Sequence, residues 1–258
     1  MVSVSRTIFR PLILIMNRFR FVVIVSIIIL SFLIASDSAF AHREDFIDET
    51  LVYVTLEKHE IEPEYWLDFG RQDNQDSGKR NAFLRHSFAL EYGITDHWMI
   101  DARSSIKSTH HEGTFFDSGR FETRYRFFEE GTKPIDVAIS LEANTERNEQ
   151  GRQEPGIEPR LILSKDLQRL NLTLNLPEEV FLKTGKLAFA PAWGFRYNTT
   201  GMLRFGCEMK YNTHSHEDSV IPQIWFAFPH EITIKLGYSF GFNRNKENFG
   251  RAALEIGF

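Results

Sequence analysis

Twelve segments of this chain alternate apolar and polar residues with a period of two. In the first, Ile61, Pro63, Tyr65, Leu67 and Phe69 alternate with Glu60, Glu62, Glu64, Trp66 and Asp68. Successive side chains of a strand point to opposite faces, whereas a helix repeats every 3.6 residues, so the pattern predicts strands. Ten further segments begin near residues 84, 98, 121, 135, 157, 170, 187, 203, 220 and 232. The last sets Ala252, Leu254, Ile256 and Phe258 against Arg251, Glu255 and Gly257. An even number of strands of this length predicts an all-β fold, an antiparallel transmembrane β-barrel of about 12 strands over residues 59–258.

The spacers support that reading. Polar stretches at 71–80, around His110-His111-Glu112-Gly113 and at 144–153 are expected as long loops. Gly93-Ile94-Thr95, Glu129–Thr132, Asp166-Leu167-Gln168, Asn198–Gly201 and Pro229-His230 are expected as short links. Short periplasmic turns and longer outer loops give this alternation in a membrane barrel. Trp98, Tyr92, Tyr125, Phe127, Phe128, Tyr197, Tyr211, Phe226, Phe228, Tyr238 and Phe240 lie near segment ends, where an aromatic girdle sits. The rival fold is a soluble sandwich or lipocalin-like barrel, which also alternates. Thr50–Glu57 falls outside the twelve segments. It is expected to extend the first strand, tuck into the lumen or lie across the periplasmic mouth.

Arg6, Arg10, Arg18 and Arg20 precede an apolar core free of charge, Phe21–Ile34, and Ala39-Phe40-Ala41 follows. This is the layout of a secretory signal peptide, expected to occupy residues 1–41 with cleavage after Ala41. The core has 14 residues, short of the roughly 20 that a spanning helix needs. Residues from Met16 form a compact signal alone, so Met16 is a candidate start. Residues 42–58 are expected as a periplasmic leader. The mature chain keeps 26 basic and 34 acidic residues, which gives no reason to expect a nucleic-acid partner. A single cysteine, Cys207, excludes a disulfide framework and a cysteine-held metal cluster within the chain. No cofactor is expected.

In a barrel the polar set lines the lumen. The candidates are Glu60, Glu62, Glu64, Asp68, Arg85, Asp101, Arg103, Glu122, Arg124, Arg126, Asp136, Glu142, Glu158, Arg160, Arg196, Arg204, Glu208, Lys210, Lys235, Arg251 and Glu255. Their charges nearly balance, as in an open polar pore of weak ion selectivity or a closed lumen cross-linked by ion pairs. Twelve strands enclose less space than the 16 to 18 of classical porins, and Trp66 and Trp225 narrow it. Glu60, Glu62, Glu64 and Asp68 share one face of the first strand, beside Arg251 and Glu255 of the last and Arg85 of the second. They read as a structural ion network or a strip that binds cations. His110-His111 and His214-Ser215-His216 read as solvated loop residues, without four metal ligands of fixed geometry. Ser118 with His110 or His111, Glu112 and Asp117 is the nearest approach to a hydrolytic set, and no Gly-x-Ser-x-Gly is present. The chain is not expected to be an enzyme.

Glu91-Tyr92-Gly93-Ile94-Thr95-Asp96-His97-Trp98 resembles a turn common in uncharacterised proteobacterial outer-membrane barrels. These include the transporter-like family labelled a putative component of phenol degradation. Gly93 is expected to permit the turn and Asp96 to cap its amides. The resemblance implies an outer membrane of a Gram-negative bacterium and passage of small hydrophobic or aromatic solutes. The ending on Phe258 resembles the signal by which barrel strands are recognised, which implies the barrel-assembly machinery as a partner beside outer-membrane lipid. The expected function is a passive channel or transporter for small solutes. The alternative is a structural or adhesive barrel with a closed lumen, and behind it a lipid-modifying enzyme.

Overall fold

The computed structural model describes residues 45–48, 50–74, 79–148, 151–199, 202–213, 218–242 and 247–258. The expected signal peptide, Met16 and the His214–His216 pair lie outside them. The strands are β1 (Ile61–Asn74), β2 (Lys79–Thr95), β3 (Trp98–Thr109), β4 (Gly113–Arg126), β5 (Asp136–Arg147), β6 (Gln153–Leu167) and β7 (Leu170–Phe181). They continue as β8 (Leu187–Phe189), β9 (Ala192–Asn198), β10 (Leu203–Tyr211), β11 (Asp218–Phe228), β12 (Ile232–Gly241) and β13 (Glu247–Ile256). Both β8 and β9 pair with β7, and Ala190-Pro191 separates them. They are two parts of one barrel strand, interrupted where proline removes a ladder donor. The sheet therefore closes as a twelve-stranded antiparallel barrel, each strand beside its sequence neighbour and β1 beside β13.

The period of two sorts the side chains as the strand pattern requires. On β1, Glu64, Trp66 and Asp68 are buried, whereas Ile61 and Phe69 are exposed. Phe88, Leu90, Phe121, Leu141, Phe205 and Leu236 are likewise exposed on other strands. A water-soluble barrel would hide such a band and wet its charged face. Here charge is inside and hydrocarbon outside, as a bilayer demands. Trp98, Tyr125, Phe127, Tyr197, Phe228, Tyr238 and Phe240 are exposed near strand ends. Their amphipathic or apolar rings suit the membrane boundary.

The stretches expected as long loops are shorter than the sequence suggests: the one at His110–Glu112 is a three-residue turn between β3 and β4, and the other two are partly strand. β1 continues to Asn74 and β2 starts at Lys79, so most of 71–80 is paired hairpin. β5 and β6 likewise pair out to Arg147 and Gln153. β2 has 17 residues, against the roughly 9–11 that cross the hydrocarbon layer. Polar sequence marks where these hairpins leave the membrane, and backbone pairing continues beyond it. At the other end, the expected short link at 129–132 sits in a longer connection, because β4 ends at Arg126 and β5 begins at Asp136.

Candidate functional site

Of the three placements open to Thr50–Glu57, the structure selects the lumen. Residues 45–48 and 50–56 pack inside the barrel, with Phe46, Ile47, Leu51, Val52, Tyr53, Val54 and Leu56 all buried. We call this segment the plug. Its apolar side chains meet Ala138, Ile162 and Trp225 of the wall in one cluster. The facing wall is built from small residues. Ala188 and Ala192 are buried there, and a Cβ on Gly194 would lie 2.5 Å from the Phe46 ring.

Wall side chains hold the plug's backbone, because the strands use their own amides on one another. Glu208 accepts from the Thr50 amide at 2.8 Å, from the Thr50 hydroxyl at 3.0 Å and from the Asp48 amide at 3.1 Å. Gln223 accepts from the Ile47 amide at 2.9 Å. Asn175 both accepts from the Leu51 amide and donates to its carbonyl, each at 2.9 Å. These bonds satisfy a non-strand backbone that is removed from bulk water. Within the plug, the Phe46 amide donates to the Thr50 carbonyl at 3.0 Å, closing a tight turn.

Charge secures both acidic ends of that turn. Arg124 donates to Asp45 at 2.8 and 3.1 Å and to the Val52 carbonyl at 3.1 Å. Lys235 donates to the Asp45 carbonyl at 2.7 Å and pairs with Glu255. Asp48 lies 3.0 Å from Arg251 and 2.5 Å from Lys210. Burial raises the Asp48 carboxyl pKa, but Lys210 and Arg251 outweigh it and hold the group below the usual carboxylate range. Arg124 does the same for Asp45.

The candidate lining residues fall into connected networks. Asp117, Arg85, Asp68, Arg251, Asp48 and Lys210 form one alternating chain from β4 across the seam and the plug to β10. Asp68 binds Arg251 at 2.5 and 2.8 Å. Arg103 donates to Glu64 at 2.7 Å and stacks on Trp66 at 3.4 Å, with Arg251 on that ring at 4.6 Å. Arg120 bridges Asp101 and Glu142, each at 3.6 Å. Glu122 binds Arg124, and Glu158 binds Arg160, which reaches Asn175. Arg196 is fully buried beside the Phe46 and Trp225 rings. Arg204 pairs in register with Trp225. Two candidates sit near the turns. Arg126 donates to the Asp96 carbonyl at 2.7 Å, and Glu60 accepts from the Glu57 amide at 2.6 Å.

One feature of the wall emerges only from register. Glu62, Glu91, Asp101, Glu122, Glu142 and Glu158 lie directly opposite one another along six consecutive strands, β1 to β6. The result is an acidic row. Of the residues that hold the plug or this row, Asp45, Asp48, Glu91, Arg120, Asn175 and Gln223 are absent from the sequence-derived set. The available signal was an apolar run without a strand partner, together with small inward residues such as Ala188, Ala192 and Gly194.

The turn at Gly93–Trp98 serves the plug. The Gly93 amide donates to the Glu60 carbonyl, and its carbonyl accepts from His59, a non-glycine residue at φ 69°. A Cβ on Gly93 would lie 1.9 Å from the Glu57 carbonyl oxygen, so the glycine admits the leader. The Asp96 carboxylate accepts from the Lys58 amide at 3.0 Å, in place of the expected cap within its own turn. Ser118 lies opposite Ser105 on the wall, while His110 and His111 are exposed and meet edge to face with ring centres 5.4 Å apart. Among the described residues no hydrogen bond joins Ser118 to either histidine.

A closed twelve-stranded barrel with a polar interior and an apolar outer band is an outer-membrane β-barrel of the Gram-negative type. No protein-family model matches the sequence, and no curated protein matches it. Among solved structures, the fold is similar to the KdgM porin, at 8% identity and TM-score 0.56 over 76% of this chain and 99% of that one. It is also similar to an outer membrane channel from Pseudomonas putida F1, at 12% identity and TM-score 0.56 over 83% and 100%. The KdgM porin in complex with disordered oligogalacturonate gives TM-score 0.55 at 8% identity, over 76% and 99%. At such identities the likeness is one of fold. These neighbours are channels rather than enzymes.

Proposed function

We propose that this protein is a passive outer-membrane channel for small solutes whose conductance is set by residues 45–56. The observation that carries this reading is the way the plug is held. Its backbone is bound by side chains of Asn175, Glu208 and Gln223 and adds no strand to the sheet. Such a segment can leave while the wall keeps every interstrand bond. The wall it leaves behind is polar and near charge balance, so the open state passes small solutes with weak preference for either ion sign. The fold shared with two channels supports the same reading. The resemblance of the 91–98 turn to the phenol-degradation family favours small aromatic molecules among the solutes. The lining residues act on solute, and no hydrolytic or transfer chemistry is assigned to Ser118 and its neighbours. Phe258 and its strand serve recognition by the barrel-assembly machinery.

The buried ion network favours a second reading, a structural barrel with a permanently closed lumen. Planar-bilayer recording separates the two. Chain 42–258 and a variant lacking 42–56 are refolded and checked for a band that shifts on heating in gel electrophoresis. Under the channel reading the intact chain gives small or rare current steps and the deletion gives large, discrete ones. Asp48→Asn, which loosens one anchor, is expected to raise the frequency of opening. A folded deletion variant without current steps would sink the channel reading and leave the structural one.

A further inference from the structure

Strands β9, β10 and β11 form a ring-sized recess in the lumen wall, and the plug fills it with Phe46. Two glycines make the room. A Cβ on Gly194 of β9 would lie 2.5 Å from the Phe46 ring, and one on Gly206 of β10 would lie 2.5 Å from the Trp225 ring of β11. Gly206 is the register partner of Arg196 on β9, so the Trp225 ring leans across β10 towards that guanidinium. Phe46 meets Trp225 edge to face with ring centres 5.8 Å apart. The Arg196 guanidinium stands 6.0 Å from the Phe46 ring and 5.8 Å from the Trp225 ring. Rings favour edge-to-face contact, and a guanidinium within about 6 Å of a ring adds cation–π attraction.

The groups that shape the recess all belong to paired strands, so its form does not depend on the plug. One polar atom of its wall has no partner. Trp225 is fully buried, and among the described residues its indole Nε1 makes no hydrogen bond. A buried N–H without an acceptor costs stability, and the benzyl group of Phe46 offers it none. A free arene that carries a hydroxyl oxygen can.

We infer that this recess binds a small arene bearing a hydroxyl group, and that Phe46 occupies it as an internal competitor. The ring replaces the benzyl group against Trp225, Arg196 and Gly194, and the hydroxyl oxygen accepts from the indole N–H. A ligand that enters only when Phe46 has left shifts the plug towards its undocked state, by as much as its affinity for the vacated recess. Solute then promotes its own passage. The competitor role rests on the channel reading, in which the plug can leave.

Fluorine NMR of 4-fluorobenzyl alcohol with refolded chain 42–258 in detergent tests the site, with protein-free micelles as the blank. Phe46→Ala and the variant lacking 42–56 leave the recess vacant. Each is expected to bind one ligand per chain, at least about tenfold more tightly than the intact chain. Cyclohexylmethanol, a ring of similar size without a π face, is expected to compete at least about tenfold less well than benzyl alcohol. Gly194→Val added to Phe46→Ala sets a side chain where the ring lay, and is expected to abolish binding while keeping the heat-modifiable band. Should that chain fail to fold, Gly194→Ala in the same background carries the test. In the intact chain the ligand is expected to open residues 45–56 to protease. Equal affinity for the intact and Phe46→Ala chains overturns the inference, as does binding that survives a filled recess. No binding to either vacant-recess chain overturns it too, and so does a plug that stays protected at saturating ligand. None of these readings uses current. A folded deletion variant that binds the alcohol but passes no current therefore sinks the channel reading alone, and currents without binding sink the recess alone.

Discussion

At the scale of single residues, the lumen is built from buried charges whose value depends on their partners. Arg251 binds Asp68 and Asp48 together, linking wall to wall and wall to plug. Removing one partner of a buried pair leaves an uncompensated charge and costs about 3–5 kcal/mol. Arg251→Met is therefore expected to lower the stability of the refolded barrel by about that amount in urea titrations. Asp68→Asn added to it is expected to recover part of the loss, whereas additive losses would mean that the pair is not coupled. Gly93 acts by having no side chain. Gly93→Val drives a methyl-bearing carbon into the Glu57 carbonyl, and overpacking of this kind costs about 1–3 kcal/mol. The barrel is expected to survive while residues 45–56 become open to protease, and unchanged protection would contradict this role for Gly93.

At the scale of elements, plug and turns respond to pH in opposite senses. Asp45 and Asp48 are held below the usual carboxylate range, so they favour the docked plug above about pH 4 and lose that contribution as pH falls through their lowered values. Glu130, in the connection between β4 and β5, behaves in reverse. Burial, with Asp166 and Asp136 nearby, pushes its carboxyl up from 4.5 to about 7. Between those values the folded chain holds a proton that the unfolded chain releases, so stability falls as pH rises through that window and is level above it. Glu130→Gln is expected to raise the melting temperature at pH 8 and to leave it unchanged at pH 4.5. An equal effect at both values would contradict the assignment. The elements themselves were legible wherever one face meets lipid, because alternation there is enforced residue by residue. Strand ends were not. Beyond the bilayer both faces meet water, so Arg71–Asn74 carries no apolar signal although it pairs with β2.

At the scale of the whole molecule, closure sets the first strand against the last. Glu64 meets Glu255, and Asp68 meets Arg251, only because β1 and β13 join. If the plug contributes to this assembly, the variant lacking 42–56 has a lower melting temperature than the intact chain even where both show the heat-modifiable band. An equal value would mean that the wall alone carries the stability. The sequence by itself determined strand, face and membrane class, because those follow from a local period of two and from what each face touches. It also determined that charge would be inside. Only the tertiary structure decided which charges meet, that six acids align in one row, and that Leu51–Leu56 fills the lumen. Those facts depend on register and barrel closure, which bring together residues as distant in sequence as Ile47 and Arg251. Local alternation carries no record of such pairings.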